Sequence, residues 1–427
     1  MPNVPADPIS VTSSTFLTQR ILCWACAAFL LVSPFTSSIA LRNVSLFVAL
    51  IAALTLVIRN RLEAPRLPSG VMWTGVAWGL ICVASWLWSV DRTYTVRELR
   101  HELLLPLIVF GIFWIGARRD AVRIWIASLL VGVALLGGGA LGERALTGAW
   151  NPIRWHAGVG AYSTWLVMVF PLIIALAAPR GVLPLDLGCK RWPLFVLLLA
   201  LVCGGAYLTL NRIVWPALAI VLAVFGILYF LAHNINARDR RRLLIAGGVL
   251  FIGLAVVFVL VTKNRANNPV ADTTMMQNAV EKDPRVALWL HAGQRILDAP
   301  IIGHGFGRGI LRNELQSTFT GLLWHGHNIV LDVLLQTGLI GLMAFVALWG
   351  AFASRYVAYV RADTSELNAL GIIGLAFLAG FFAKNMTDDF LVRHTGLLFW
   401  AMNAMLIGYG ERLLRDQPNR SKCPVIE

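Results

Sequence analysis

The stretch Trp324-His325-Gly326-His327-Asn328 puts two imidazoles two residues apart, just before an apolar run from Ile329 to Leu335 that only Asp332 interrupts. An imidazole titrates near ~6.5, so it can take up a proton at neutral pH without special tuning. His327 is therefore a candidate general base. The same position is where a helix would begin, so His327 fits equally well as a partner for free backbone N–H groups. A His-x-His metal pair is disfavoured because no third ligand lies at useful spacing, and no metal or cofactor is expected. Guanidinium groups form the second candidate set. Arg212 lies in Thr209-Leu210-Asn211-Arg212-Ile213, a turn of almost no length between two apolar spans. Burying a guanidinium there is costly unless an anion meets it, although a snorkelling arginine would also fit. Arg285 follows Asp283-Pro284, which reads as a helix N-cap and first turn, a place that favours anions.

Weaker candidates sit on the same rim. Arg97 and Arg100 share one face of a short charged helix and would suit a lipid-borne phosphate. They equally suit an interfacial helix neutralised by Glu98 and Glu102. Arg154, between Trp150 and Trp155, fits an aromatic belt or a sugar clasp. Asp388-Asp389 could orient His327, position an acceptor hydroxyl, or pair with Lys384 and Arg393. Asp389 and His325 join the candidate substrate-binding residues.

The elements that must position these residues are membrane helices. The chain is 58% hydrophobic and 14% charged, with mean hydropathy +0.72. Apolar runs near ~20 residues recur along it, and only a helix satisfies every backbone group of an open chain in lipid. The expected fold is all-α, with about twelve spans at 21–40, 43–58, 71–89, 103–117, 121–142, 158–178, 193–210, 213–233, 243–262, 338–358, 366–384 and 395–413. This divides the chain into spans over 1–262, one exported helical loop domain over 263–337, and spans with a tail over 338–427. Arg59, Arg61, Arg118, Arg119, Arg180, Arg238, Arg240 and Arg412 all fall on one side, in short loops or the tail, which the positive-inside rule makes cytoplasmic. Both termini are then cytoplasmic and the His327 loop faces outward. The net charge of +14 is thus partly topology, and no nucleic-acid partner is expected. Arg20 before the first span marks a start-transfer anchor rather than a cleaved signal. No cysteine lies in an exported loop, so no disulfide framework is implied. Span interiors nearly free of charge argue against an ion-coupled transporter.

His327-Asn328 followed by Leu331, Leu334, Gly338 and Gly341 resembles the His-Asn block of the O-antigen ligase and polymerase superfamily of membrane glycosyltransferases. Arg285-x-x-x-Trp289 and Pro300-x-x-Gly303-x-Gly305-x-Gly307 match the same pattern in the right order. Arg212 matches its Thr-x-Ser-Arg turn, with Asn211 in place of the serine. The glycine run is no dinucleotide fingerprint, since no strand precedes it, and reads as backbone able to approach a pyrophosphate or sugar. The resemblance implies a GT-C-like enzyme of the bacterial inner membrane. Its reaction would move polysaccharide from undecaprenyl pyrophosphate to a sugar hydroxyl of lipid A–core on the periplasmic face. His327 would be the base of a metal-independent, inverting displacement, and Arg212 and Arg285 would hold the pyrophosphate. An O-antigen polymerase or protein O-oligosaccharyltransferase stays open, as does a flippase or polysaccharide exporter. A single sizeable exported loop favours the ligase.

Overall fold

The computed structural model describes residues 13–59, 64–178, 183–185, 187–232, 237–267, 284–319 and 324–416, and no strand occurs among them. The helices in chain order are α1 (Ser13–Val32), α2 (Ile39–Ile58), α3 (Ser69–Ala84), α4 (Arg92–Glu98), α5 (Leu105–Gly116), α6 (Arg119–Thr147), α7 (Pro152–Trp155) and α8 (Val159–Ala177). They continue with α9 (Arg191–Leu208), α10 (Val214–Ala232), α11 (Ala237–Asn267), α12 (Pro284–Asp298), α13 (Arg312–Thr318), α14 (Ile329–Val360), α15 (Ser365–Asn385) and α16 (Arg393–Arg415). A π-helical turn, Leu99–Leu104, joins α4 to α5.

Ten helical segments among the described residues are long and apolar enough to cross a bilayer, against about twelve expected. The expected spans 243–262 and 395–413 both fall on helices, but on different terms. Within α11, Gly247–Leu260 is a shorter apolar helix. Helix α16 is buried along most of its length and carries Asn403, Glu411 and Arg412, which lower its hydropathy. Those groups find partners inside the protein. Tyr356 Oη donates to Asn403 Oδ1 (2.9 Å), Tyr359 Oη to Glu411 Oε1 (2.6 Å), and Arg412 Nη2 to the Ile115 carbonyl (2.9 Å). Polar groups on a buried span survive only when satisfied in this way. The first span also shifts. It occupies Thr15–Val32 rather than 21–40, because Pro34 disfavours helix at the residue before it.

Helix α8 sits at the centre, buried over nearly every residue, and packs on α9, α10 and α15. Helix α15 bridges α10 and α14, and α16 packs on α5. Their loop ends carry the candidate residues.

Helix α14 breaks at Gly338 (φ 63°, ψ −163°). The break frees backbone groups, and the 300–307 segment satisfies them. Leu339 N donates to the Pro300 carbonyl (2.9 Å), Ile340 N to Ile301 (3.2 Å), and His304 N and Gly305 N to Leu335 and Gln336 (both 2.9 Å). A Cβ on Gly338 would run into the Ile301 carbonyl, and its φ lies in the left-handed region. Gly338→Ala is expected to cost about 1–3 kcal/mol of stability. The measurement is the Tm of detergent-purified protein, with Gly350→Ala, whose Cβ would meet open space, as the near-neutral control.

The glycine run serves the same strap. A Cβ at Gly303 would strike the Gln336–Thr337 backbone, at Gly305 Ser89, and at Gly307 Tyr94 and Glu98. The expectation that this backbone approaches a pyrophosphate or sugar is therefore replaced. Its closeness is to α14 and α4.

Candidate functional site

The site starts from the cap of α14. Asn328 Oδ1 accepts from Val330 N (2.9 Å) and Leu331 N (3.3 Å), and Asn328 Nδ2 donates to the Met386 carbonyl (2.9 Å). Capping is thus the work of Asn328 and not of the His327 side chain. The last of these contacts folds the loop after α15 onto the histidines. His325 and His327 stack, with ring centroids 3.8 Å apart and planes 24° from parallel. Asp388 Oδ1 lies 3.2 Å from His327 Nδ1 and 3.6 Å from His325 Nε2. The far edge of His325 is held by Asp332, whose Oδ2 lies 3.0 Å from Nδ1, while Asp332 Oδ1 accepts from Gly326 N at 2.6 Å. His327 itself adopts φ 46°.

Electrostatics separates these groups. Burial, helped by the charges of Arg308 and His327, pushes His325 well below the usual imidazole range. Burial alone would raise Asp388, but the His327 imidazole 3.2 Å away and the charge of Lys384 hold its carboxyl below the usual carboxylate range. Asp388 is therefore an anion that can accept from His327 Nδ1–H. Asp389 behaves differently. Burial and the neighbouring Asp332 push it up to about 6, its Oδ1 accepts from Leu391 N (3.0 Å), and its carbonyl accepts from Arg308 Nη1. Asp389 is thus tied into its own loop.

His325, His327 and Asp388 offer donor atoms within 4.8 Å of one another, so they could hold a metal ion. The third ligand that sequence spacing did not supply comes from beyond α15. That removes the premise on which a metal pair was disfavoured.

Three cations surround the cluster. Arg308 lies over the Trp324 ring (4.7 Å), which packs edge-on against His325 (4.7 Å). Lys384 is fully buried, lies over Phe390 (4.8 Å), and feels the charges of Asp388 and Arg285. Arg285 begins α12 one turn before Trp289, whose indole N–H donates to the Gly326 carbonyl (2.9 Å). The helix carrying Arg285 is therefore pinned to the histidine loop. Asp283, expected as its N-cap, lies outside the described residues.

Arg212 occupies the expected turn between α9 and α10. Leu210 there adopts φ 48°, Asn211 Oδ1 accepts from Ile213 N (3.2 Å), and Asn211 Nδ2 donates to Ser163 Oγ of α8 (3.2 Å). The Arg212 guanidinium is half-buried and makes no hydrogen bond or ion pair among the described residues. Leu210, His327 and Arg393 are the described non-glycine residues with positive φ. All three lie in loops or at a helix start beside candidate residues, where such strain tends to collect.

Other expectations fare less well. Arg97 pairs with Glu98 (3.3 Å) and covers the Tyr94 ring (4.9 Å), and Arg100 is exposed. Neither is brought into contact with the histidines, and the neutralised interfacial helix describes Arg97 better. The Arg154 side chain lies outside the described residues. Its neighbour His156 is buried among Phe35, Trp150 and Tyr162, and burial lowers it to about 4. An open cleft of about 550 Å³ lies between Ser89–Arg92 and Ile310–Glu314, and neither His325 nor His327 lines it. Sequence reasoning missed Arg308 and the roles of Asp332 and Lys384. Arg308 directly follows the glycine run, and Asp332 is the one acid in the first turn of α14, so both left a signal.

These features define an all-α polytopic membrane protein with a buried histidine–carboxylate centre where its loops meet. Residues 195–346 match the model of the O-antigen ligase family (Wzy_C), and that segment of the chain is similar to this family. That match supports an enzymatic role of the glycosyltransferase type. No curated protein matches the chain.

Proposed function

We propose that this protein is an O-antigen ligase that transfers polysaccharide from undecaprenyl pyrophosphate to a sugar hydroxyl of lipid A–core. In this reading it is a GT-C-like enzyme of the bacterial inner membrane with about twelve spans, the count that hydropathy suggests. Both termini are cytoplasmic and the His327 loop is periplasmic, as the arginine distribution suggests. The observation that carries the chemistry is the 3.2 Å approach of Asp388 Oδ1 to His327 Nδ1. With Asp388 beside Nδ1, the proton is placed on Nδ1 and Nε2 becomes the basic nitrogen of the ring, the atom that would take the proton of the acceptor hydroxyl. As that oxygen forms its bond to the donor's anomeric carbon, His327 takes the proton. The bond from that carbon to the pyrophosphate oxygen breaks, and the configuration inverts. Arg212 and Arg285 take up the charge growing on the leaving pyrophosphate through forked N–H donors.

The test is a purified system in detergent with lipid-linked donor and lipid A–core. New covalent product is expected, and relocation of the donor without it would mark a flippase. Product on a growing donor chain, or on protein, would mark a polymerase or an oligosaccharyltransferase. Turnover is expected to survive EDTA unchanged. Its loss on chelation and return with a divalent cation would favour the second reading, in which His325, His327 and Asp388 hold a metal.

A further inference from the structure

Helix α12 is apolar on two opposite sides. Leu288 and Ala292 face inward, onto Ile310, Leu311, Leu315 and Leu335. Val286, Leu290, Gly293 and Leu297 follow one another at helical spacing on the outward side. Leu290 is 69% exposed and Leu297 76%. The polar residues His291 and Arg295 lie on the flank, tied to Glu314 at 2.9 and 3.0 Å. A helix facing water would turn those groups outward and would not present a leucine ridge.

The ridge continues past the helix. Ile301 is 59% exposed, and its carbonyl accepts from Ile340 N of α14 (3.2 Å), just beyond the Gly338 break. On α14, Leu339, Ile340, Met343 and Val346 are themselves exposed apolar residues of a membrane-crossing helix. Exposed apolar residues thus lead from the outer side of α14 through Ile301 to Leu297 and Leu290 of α12. Trp88 marks their level, donating its indole N–H to the Ile302 carbonyl (2.9 Å), as tryptophans do at headgroup depth. The segment before α12 is a poor alternative cover, since residues 263–283 are dominated by Lys, Arg, Asn, Asp, Thr, Gln and Glu.

We infer that α12 lies in the membrane interface with its Val286–Leu290–Leu297 ridge in the acyl chains, and does not stand in water as part of a loop domain. An interfacial helix of this kind sinks about 5–10 Å into the headgroup and acyl boundary. Its first turn carries Arg285, and Trp289 fastens it to the histidine loop. A phosphate carried on a lipid would reach the site along this helix, sideways from the bilayer. Only that last consequence rests on the proposed reaction, since the insertion is independent of it.

Nitroxide labels at Leu290→Cys and Leu297→Cys, in the full chain with Cys189 and Cys423 replaced by serine, test the insertion. The protein is placed in nanodiscs of phosphatidylethanolamine and phosphatidylglycerol, and power saturation compares oxygen with a water-soluble nickel complex. Both labels are expected to favour oxygen, as a reference at Met343→Cys does, while Ser317→Cys on α13 favours nickel. Labels at 290 and 297 that read like Ser317→Cys would overturn the inference, because the ridge would then be wet. Immobilised labels shielded from both reagents would also overturn it. Short dipolar distances between copies would assign the cover to a second molecule, and their absence would assign it to this chain.

Discussion

His327→Ala is expected to lower ligation turnover by roughly 10²–10⁴-fold, the contribution of a well-placed general base. The acceptor is a sugar hydroxyl, which must lose its proton as it attacks, and the stacked neighbour His325 cannot take over. Its Nδ1 lies against Asp332, its Nε2 faces Asp388, and burial holds it well below the ordinary imidazole range. The loss should fall on turnover rather than on KM for the lipid-linked donor, because His327 acts only as the bond forms. Folding is not at stake to the same degree, since the cap of α14 belongs to Asn328. The check is single-turnover product formation by purified protein, with Tm measured alongside. Near-wild-type turnover in His327→Ala would remove the base assignment.

The second large effect is expected at Arg212. Arg212→Lys keeps the charge and the length, yet should lower turnover by about 10²–10³-fold, the range for losing one donor to a developing anion. A lysine ammonium is a point charge on a flexible stem, whereas the guanidinium presents a planar fork that matches two phosphate oxygens. The structure holds the residue stiffly for such a task, between the left-handed Leu210 and the Asn211 side chain bound to Ser163. Its guanidinium has no partner among the described residues, so an anion would meet it unopposed. Arg97→Lys is the control and should stay near wild type, because Arg97 is already paired with Glu98. Steady-state kinetics with purified donor decides the matter. Equal activity of Arg212→Lys and wild type would reduce Arg212 to a headgroup anchor.

The His-Asn block, Arg285 with Trp289, and the glycine run are contiguous or nearly so, and all of them lie in the segment that matches the family model. The same spacing misled where a residue's partner lay elsewhere. Gly303, Gly305 and Gly307 read as open backbone for a ligand, but the Gly338 break creates unsatisfied groups that this segment must cover. Likewise α16 reads as an ordinary span, and only its position among other helices explains why Asn403 and Glu411 are tolerated.

From sequence alone came the all-helical membrane class, most of the breaks between spans, the start of α14, and the residues able to move a proton or meet a phosphate. Hydropathy and caps are local, so they can be read along one dimension. Tertiary structure decided which of those residues meet. Asp388 lies some sixty positions from His327, beyond two membrane helices, and reaches it because Asn328 holds the Met386 carbonyl. Contact between loops so far apart depends on how α14 and α15 pack, and no periodicity encodes that.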